Sequence, residues 1–317
     1  MTLAAAPKFK DEYATVNGVK LHYVSTGKGP LILFLHGFPE FWYEWKDQLA
    51  EFGKDHLAVA PDMRGYNRSS KPEGLDKYRM DLLIEDVLEL AAHLGGLGPT
   101  IMYRGADGHK HERYDGRFTL VAHDWGGAVA WAYAAAHPET LDKLVIINAP
   151  HPGVFARLLR EDPDQQKASQ YMLMFRSPQA EQTLSANDHA MLVNIVLGAG
   201  LKNGTFTEED KKAYLAAWSQ PGAITGGLNY YRAMEVGPPP PGGGTASTGK
   251  FPAELNIKTP TLVIWGEKDT ALTVHNLEGL DQFVPTLTIK RIPDGTHWVI
   301  HEKPAEVNGY IREFLAK

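Results

Sequence analysis

The stretch VAHDWGG, Val121–Gly127, decides the fold of this chain. An apolar, β-branched run that begins at Phe118 ends abruptly at polar residues, and two glycines then lead into the small-residue segment 128–136. This pattern predicts a strand, a sharp turn and a helix. Small residues around the turn let strand and helix approach closely, as they do where a nucleophile is held at the apex of a strained turn.

The residue at the apex of this turn is Asp124. A carboxylate that attacks a saturated carbon leaves an ester, which water can still cleave, whereas a serine would leave an inert ether. The alternative is that Asp124 only caps the following helix, because Asp is a favoured N-cap residue. The small-x-Asp-x-small-small frame and two partners found further along the chain favour the nucleophile.

Composition sets the class of protein. The chain has 317 residues, of which 43% are hydrophobic and 10% aromatic, enough for one large domain with an insertion or for two smaller domains. Its net charge is −6 with acidic and basic residues mixed, which predicts no nucleic-acid partner and no membrane-surface helix. The absence of cysteine excludes disulfides, thiolate metal sites and a cysteine nucleophile.

Neither a signal-peptide pattern nor an apolar run of membrane-spanning length is visible, so a cytoplasmic enzyme without a membrane span is the simplest interpretation. The sequence leaves a homodimer open.

Buried strands and helices alternate through residues 1–150. The apolar run 30–35 suits a strand buried on both faces, and helices are predicted at 42–52 and 78–94. The polar, glycine-rich segment 96–117 predicts a long loop or a surface hairpin. Its His109-x-His111 pair is more typical of solvated histidines than of a metal site.

The alternation stops after residue 150. Residues 151–236 predict a helical insertion, or cap, and 237–250 form a proline- and glycine-rich linker. The core resumes in 251–317 with strands near 261–265 and 286–291. This organisation predicts an α/β protein with a mostly parallel, doubly wound sheet.

Catalytic residues of such sheets lie at the carboxyl ends of the strands. The candidates at those ends are His36, Asp62, Asp124, Asn148, Asp269 and His297. Each of them alone is usually a turn or structural residue. In proteins with a nucleophile elbow, however, the nucleophile is followed along the chain by an acid and then by a histidine. Asp124, Asp269 and His297 occur in that order, which favours a catalytic triad.

Four segments together resemble the epoxide hydrolase family of the α/β-hydrolase fold, in the branch that also holds the haloalkane dehalogenases. The loop 36–45, HGFPEFWYEW, and the segment 62–70, DMRGYNRSS, are similar to family motifs, and HDWGG at 123–127 is similar to its elbow. Residues 229–232, NYYR, resemble the cap segment whose tyrosine protonates the epoxide oxygen.

The resemblance implies a role for individual residues. Tyr231 takes the place of the cap proton donor, and the backbone N–H groups of Phe38 and Trp125 form the oxyanion hole. The family's second cap tyrosine falls on Met174, whose thioether has no proton to donate. Tyr171 takes that role if the helix register differs, and otherwise Tyr231 acts alone. The predicted substrate-binding residues are Trp125, Tyr171, Met174, Tyr230 and Trp298.

The predicted reaction is hydrolysis of a small apolar epoxide by water, with no cofactor and no metal. Three alternatives use the same scaffold. A haloalkane dehalogenase needs a halide-binding donor, often an Asn after His36-Gly37, where this chain has Phe38. A haloacetate dehalogenase needs arginines near the nucleophile, and residues 125–129 contain none. A non-catalytic binding protein usually lacks a triad member.

Overall fold

The computed structural model describes residues 8–104, 109–251 and 255–317. Its strands are β1 Lys10–Val16, β2 Val19–Gly27, β3 Leu31–Leu35, β4 Leu57–Pro61, β5 Thr100–Arg104, β6 Lys110–Tyr114, β7 Phe118–His123, β8 Leu141–Ile147, β9 Val236–Gly237, β10 Ser247–Thr248, β11 Thr261–Gly266 and β12 Leu287–Ile292.

The α-helices are α1 Lys46–Phe52, α2 Met80–His93, α3 Asp124–Ala136, α4 Pro152–Glu161, α5 Pro163–Ala168, α6 Tyr171–Arg176, α7 Ala180–Leu192, α8 Gly198–Asn203, α9 Glu208–Trp218, α10 Ala223–Met234, α11 Val299–Glu302 and α12 Pro304–Leu315. Short 3₁₀ turns span Trp42–Trp45, Leu75–Tyr78, Pro138–Thr140, Val274–Leu277 and Leu280–Gln282, and a π-helical turn spans Val193–Leu197. None of the described helices is both long and apolar enough to cross a membrane.

Among the described residues, the main sheet has eight strands in the order β1-β2-β4-β3-β7-β8-β11-β12. β2 pairs antiparallel with β1 and β4, and the strands from β4 to β12 pair in parallel. The prediction of a mostly parallel, doubly wound sheet is confirmed.

Both faces of the sheet are covered, which explains the continuous apolar runs of its strands. Side chains alternate between faces along each strand. In β3, Ile32 and Phe34 join the cluster formed by α1 and α12, whereas Leu31, Leu33 and Leu35 join the opposite cluster with α2 and α3.

The winding of the sheet changes direction at β3. The chain runs from β3 to β4 on one side, and then returns through α2 to β7 on the other side of β3. Ligands of open α/β sheets bind at such a switch point, at the carboxyl ends of the strands. The ends of β3 and β7 carry the loop at Phe38 and the turn at Asp124, so the topology alone brings these two together.

Helices α4 to α10 occupy the segment predicted as a cap. The structure refines two local predictions. The linker 237–250 contains a short antiparallel pair, Ser247 opposite Gly237, and the segment 96–117 forms an antiparallel hairpin of β5 and β6. Residues 105–108, between β5 and β6 in the sequence, and residues 252–254, after the linker, lie outside the described residues.

Candidate active site

The turn at Asp124 has the strained backbone of a nucleophile elbow. Asp124 has φ +46°, a left-handed conformation that costs a non-glycine residue energy. Gly126 makes the turn possible, because a Cβ at that position would lie 2.6 Å from the backbone oxygen of His36 and also overlap the oxygen of Leu35. In this conformation the carboxylate faces Phe38, in the loop after β3, and His297, in the loop after β12.

The carboxylate of Asp124 does not behave as a helix cap. Its Oδ1 accepts a hydrogen bond of 2.8 Å from the backbone N–H of Phe38, which lies in the loop after β3. The N-cap position of α3 belongs to His123. Trp125 is in the first turn of α3, where the backbone N–H has no acceptor within the helix. Of the two predicted oxyanion-hole donors, the N–H of Phe38 contacts the carboxylate, and that of Trp125 lies in the first turn of the helix that follows it.

The predicted acid and base follow β11 and β12 and meet Asp124 at the same carboxyl edge of the sheet. His297 Nδ1 lies 2.7 Å from Oδ2 of Asp269, and its Nε2 lies 3.7 Å from Oδ2 of Asp124. Asp269 is held by backbone N–H groups of Ala271 and Leu272 at 2.8 and 2.9 Å. The structure thus brings the three predicted triad residues together.

Asn148 is a strand-end candidate to which sequence reasoning gave no role. Its side-chain amide donates to Oδ2 of Asp269 at 2.8 Å, and its Oδ1 accepts from Gly266 N–H, also at 2.8 Å. Asn148 therefore fixes the acid that orients the histidine. His36 and Asp62 lie apart from this group, since His36 bonds to the backbone of Gly37 and Met63, and Asp62 bonds to His22.

The charges of the site favour an imidazolium at His297. Burial opposes the charged form, but the adjacent carboxylate of Asp269 and the charge of Asp124 raise the pKa of His297 to about 9. Burial would likewise raise the pKa of Asp269, yet the charge and hydrogen bond of His297 hold it below its ordinary value. At neutral pH His297 is therefore protonated beside the ionised Asp269.

Two cap tyrosines face the triad. Tyr231, on α10, is 2% exposed, and its ring packs against Trp125 with centroids 4.9 Å apart. Tyr171, at the start of α6, packs edge-on against Tyr231 with ring centroids 6.3 Å apart. Burial, together with the charge of Asp124, raises the pKa of both hydroxyls well above the ordinary value of tyrosine. Both hydroxyls therefore hold their protons.

The placement of Tyr171 favours the alternative in which Tyr171, rather than Met174, lies beside Tyr231. The two residues lie three apart on α6 and both turn toward the cavity, but the ring that packs against Tyr231 belongs to Tyr171. The sequence left this choice open because the register of a six-residue helix is weakly specified by its pattern.

Two cavities border Asp124. The larger, of about 270 Å³, has Phe38, Tyr171, Met174, Tyr231, His297 and Trp298 in its wall. The smaller, of about 40 Å³, has Trp125, Phe155, Tyr171, Met172, Tyr231 and Leu272 in its wall. Apolar and aromatic side chains dominate both walls, and the polar groups converge at Asp124.

Tyr230, predicted to bind substrate, is not among the residues in the wall of either cavity that borders Asp124. Its side chain is fully buried, and its hydroxyl donates to the backbone oxygen of Arg64 at 2.9 Å. Neighbouring residues on a helix point about 100° apart, so Tyr230 faces the core when Tyr231 faces the cavity.

Two groups of described residues each bring three residues of metal-ligating types together, namely Glu40 with Glu44 and His301, and Asp162 with Asp164 and His275. Hydrogen bonds within the protein already engage both groups, at 3.2 Å between Glu40 and His301 and at 2.6 Å between Asp162 and His275. The His109-x-His111 pair lies beside residues outside the described part of the chain.

The chain resembles known proteins over nearly its whole length. Residues 32–309 match the alpha/beta hydrolase family. The AB hydrolase superfamily protein YfhM of Bacillus subtilis (strain 168) is 37% identical and aligns with 96% of this chain and 98% of its own length. Epoxide hydrolase 4 of Mus musculus is 36% identical, over 94% of this chain and 77% of its own.

Solved structures give the same result. The crystal structure of Bacillus megaterium epoxide hydrolase in complex with an inhibitor superimposes with a TM-score of 0.82 at 37% identity. It covers 96% of this chain and all of the compared chain.

Proposed function

The chain belongs to the epoxide hydrolase family of the α/β-hydrolase fold, and we propose that it hydrolyses a small apolar epoxide to a vicinal diol through an ester on Asp124. The observation that carries this proposal is the carboxylate in the elbow, with a backbone N–H at one oxygen and the histidine at the other. A serine in that place is the mark of an esterase, and an aspartate is suited to attack on saturated carbon.

In the first step, the two oxygens of Asp124 have different roles. Oδ1 is held by Phe38 N–H, so Oδ2 is the free nucleophile and attacks an epoxide carbon from behind. Tyr231, with Tyr171 beside it, binds the ring oxygen and gives it a proton as the C–O bond breaks. The ester leaves its carbonyl oxygen at Phe38 N–H, where charge will develop in the second step.

The protons balance if His297 begins as an imidazolium. After the ring opens, His297 gives its proton to the tyrosinate, and the loss of the negative charge on Asp124 lowers the pKa of His297. The neutral imidazole, oriented by Asp269, then takes a proton from water as that water attacks the ester carbonyl. Collapse of the tetrahedral intermediate releases the diol and restores Asp124, with His297 again protonated.

The residues near the nucleophile disfavour a dehalogenase. A haloalkane dehalogenase pairs the tryptophan after the nucleophile with a second halide donor, and Phe38 supplies no side-chain donor. Residues 125–129 supply no arginine for a haloacetate. The complete triad disfavours a binding protein without activity. Release of halide from haloalkanes without diol formation from epoxides would favour the first alternative.

The origin of the product oxygen tests the mechanism. With enzyme in excess over epoxide in ¹⁸O water, attack by Asp124 should give a first-turnover diol that is largely unlabelled, because the new oxygen comes from the carboxylate. The attacking water labels Asp124 instead, and later turnovers release that label. A diol fully labelled in the first turnover would show direct attack by water, and Asp124 would then have only a positioning role.

A further inference from the structure

A second buried carboxyl group, Glu44, lies behind the nucleophile and takes no part in the steps above. It belongs to the 3₁₀ turn Trp42–Trp45 and is 1% exposed. Its Oε2 accepts from the backbone N–H of Gly37 at 3.3 Å, and its Oε1 contacts Nδ1 of His123. Gly37 immediately precedes Phe38, and His123 immediately precedes Asp124. Glu44 therefore contacts both the loop that holds the nucleophile and the elbow that carries it.

The contacts of His123 require a proton between its ring and Glu44. His123 Nε2 lies 3.0 Å from the backbone oxygen of His297. A carbonyl oxygen only accepts, so Nε2 must carry a hydrogen. The other ring nitrogen, Nδ1, faces Oε1 of Glu44, and two lone pairs at that distance would repel. One proton therefore lies between them, either on the carboxyl group or on an imidazolium.

The surrounding charges favour the carboxyl group. Burial, with the nearby charge of His297, lowers the pKa of His123 to about 3. Burial and the charge of Glu40 raise the pKa of Glu44 well above its ordinary value, the charge of Asp124 adds to this, and His301 opposes it. Glu44 thus keeps its proton while its neighbours are charged.

The ionised carboxylate of this region is Glu40. Tyr214 donates to its Oε2 at 2.5 Å, and His301 lies 3.2 Å from its Oε1. The charge and hydrogen bond of His301, with that of Tyr214, hold the pKa of Glu40 below its ordinary value against the effect of burial. A second carboxylate beside Glu40 would have no cation of its own, which makes ionisation of Glu44 costly.

We propose that Glu44 is a neutral carboxylic acid that positions both halves of the reaction. Its Oε2 fixes the Gly37 amide so that the next N–H, of Phe38, points at Asp124. Its Oε1–H donates to His123, whose Nε2–H in turn holds the backbone carbonyl of His297. This inference rests on the proposed function, because it concerns the placement of the same nucleophile and base.

Substitutions at Glu44 test the proposal, because an amide offers the same donor and acceptor as a neutral acid. Glu44→Leu leaves the Gly37 N–H and His123 Nδ1 unpaired, and we expect ester formation and ester hydrolysis to fall by about 100-fold, as for other displacements of reacting groups. Glu44→Gln should restore most of that loss. It should also leave unchanged the pH at which ester hydrolysis declines on the acid side. The exposed Glu278→Gln is the matched control.

An ionised Glu44 would give the opposite result. Loss of its negative charge in Glu44→Gln would lower the pKa of His297, shift the acid limb to lower pH and leave His123 without its counter-ion. Infrared spectroscopy gives a second measurement, which depends neither on activity nor on whether the Glu44→Leu variant folds. The wild-type protein should show the carbonyl band of a buried protonated carboxyl group, and Glu44→Gln should lack it. Absence of that band from the wild type would overturn the proposal even if the ¹⁸O experiment supports the ester.

Discussion

Replacement of Gly37 by alanine is a direct test of where the nucleophile lies. A Cβ at position 37 would lie 2.5 Å from Oδ1 and 2.8 Å from Cγ of Asp124. Because non-bonded heavy atoms pack at about 3.5–4.0 Å, the carboxylate or the loop must move by about 1 Å. Either movement separates Oδ1 from the N–H of Phe38 and turns Oδ2 away from its line of attack.

A displacement of about 1 Å in a reacting group costs about 100-fold in rate, and overpacking costs about 1–3 kcal/mol of stability. We therefore expect Gly37→Ala to form the Asp124 ester about 100-fold more slowly while it remains folded. Single-turnover mixing with an aromatic epoxide, quenched and read by intact mass, measures ester formation directly. Thermal unfolding followed by circular dichroism reports the fold.

Gly309→Ala is the matched control for this experiment. Gly309 is exposed on α12, and a Cβ there has nothing within 4 Å. Alanine should stabilise that helix by up to about 1 kcal/mol and leave ester formation unchanged. If folded Gly37→Ala formed the ester at the wild-type rate, the carboxylate of Asp124 would not be the nucleophile in the position described.

Further variants test the remaining roles. Asp124→Ala and Asp124→Ser should abolish diol formation without a cooperative loss of structure in circular dichroism, and retained activity would refute the nucleophile. His297→Gln should accumulate the ester, seen by intact mass. Tyr231→Phe and Tyr171→Phe should each slow ester formation more than hydrolysis, and the double variant should lose about 10²–10⁴-fold, the usual contribution of a general acid; unchanged single-turnover rates would move the donor elsewhere. Asp269→Asn removes a negative charge that raises the pKa of His297, so neutral imidazole should persist to lower pH. The acid limb of the ester-hydrolysis profile should shift downward, at a lower maximal rate, and an unshifted limb would contradict the pairing.

The sequence by itself determined the elements and the elbow, because both depend on local chemistry. The apolar run at 30–35 predicts a strand buried on two faces, and the small residues after Asp124 are required wherever a helix leaves a strand so abruptly. The order of Asp124, Asp269 and His297 at strand ends predicted their meeting, since parallel strands bring their carboxyl ends to one edge. Their distances now agree with that prediction.

Only the tertiary structure decided which side chains complete the site. Whether Tyr171 or Met174 lies beside Tyr231, and whether Tyr230 faces the cavity or the core, depends on the rotation of short cap helices against the core. That rotation is fixed by packing between residues far apart in sequence, and no local pattern encodes it.

The role of Glu44 was hidden for the same physical reason. Glu44 stands one residue before a tryptophan in an aromatic segment, where a carboxylate is usually a solvated residue, and the pattern predicts nothing of its partners. Its contacts with Gly37 and His123 join residues from three segments of the fold. Protonation follows from burial and from neighbouring charges, which exist only once the chain has folded.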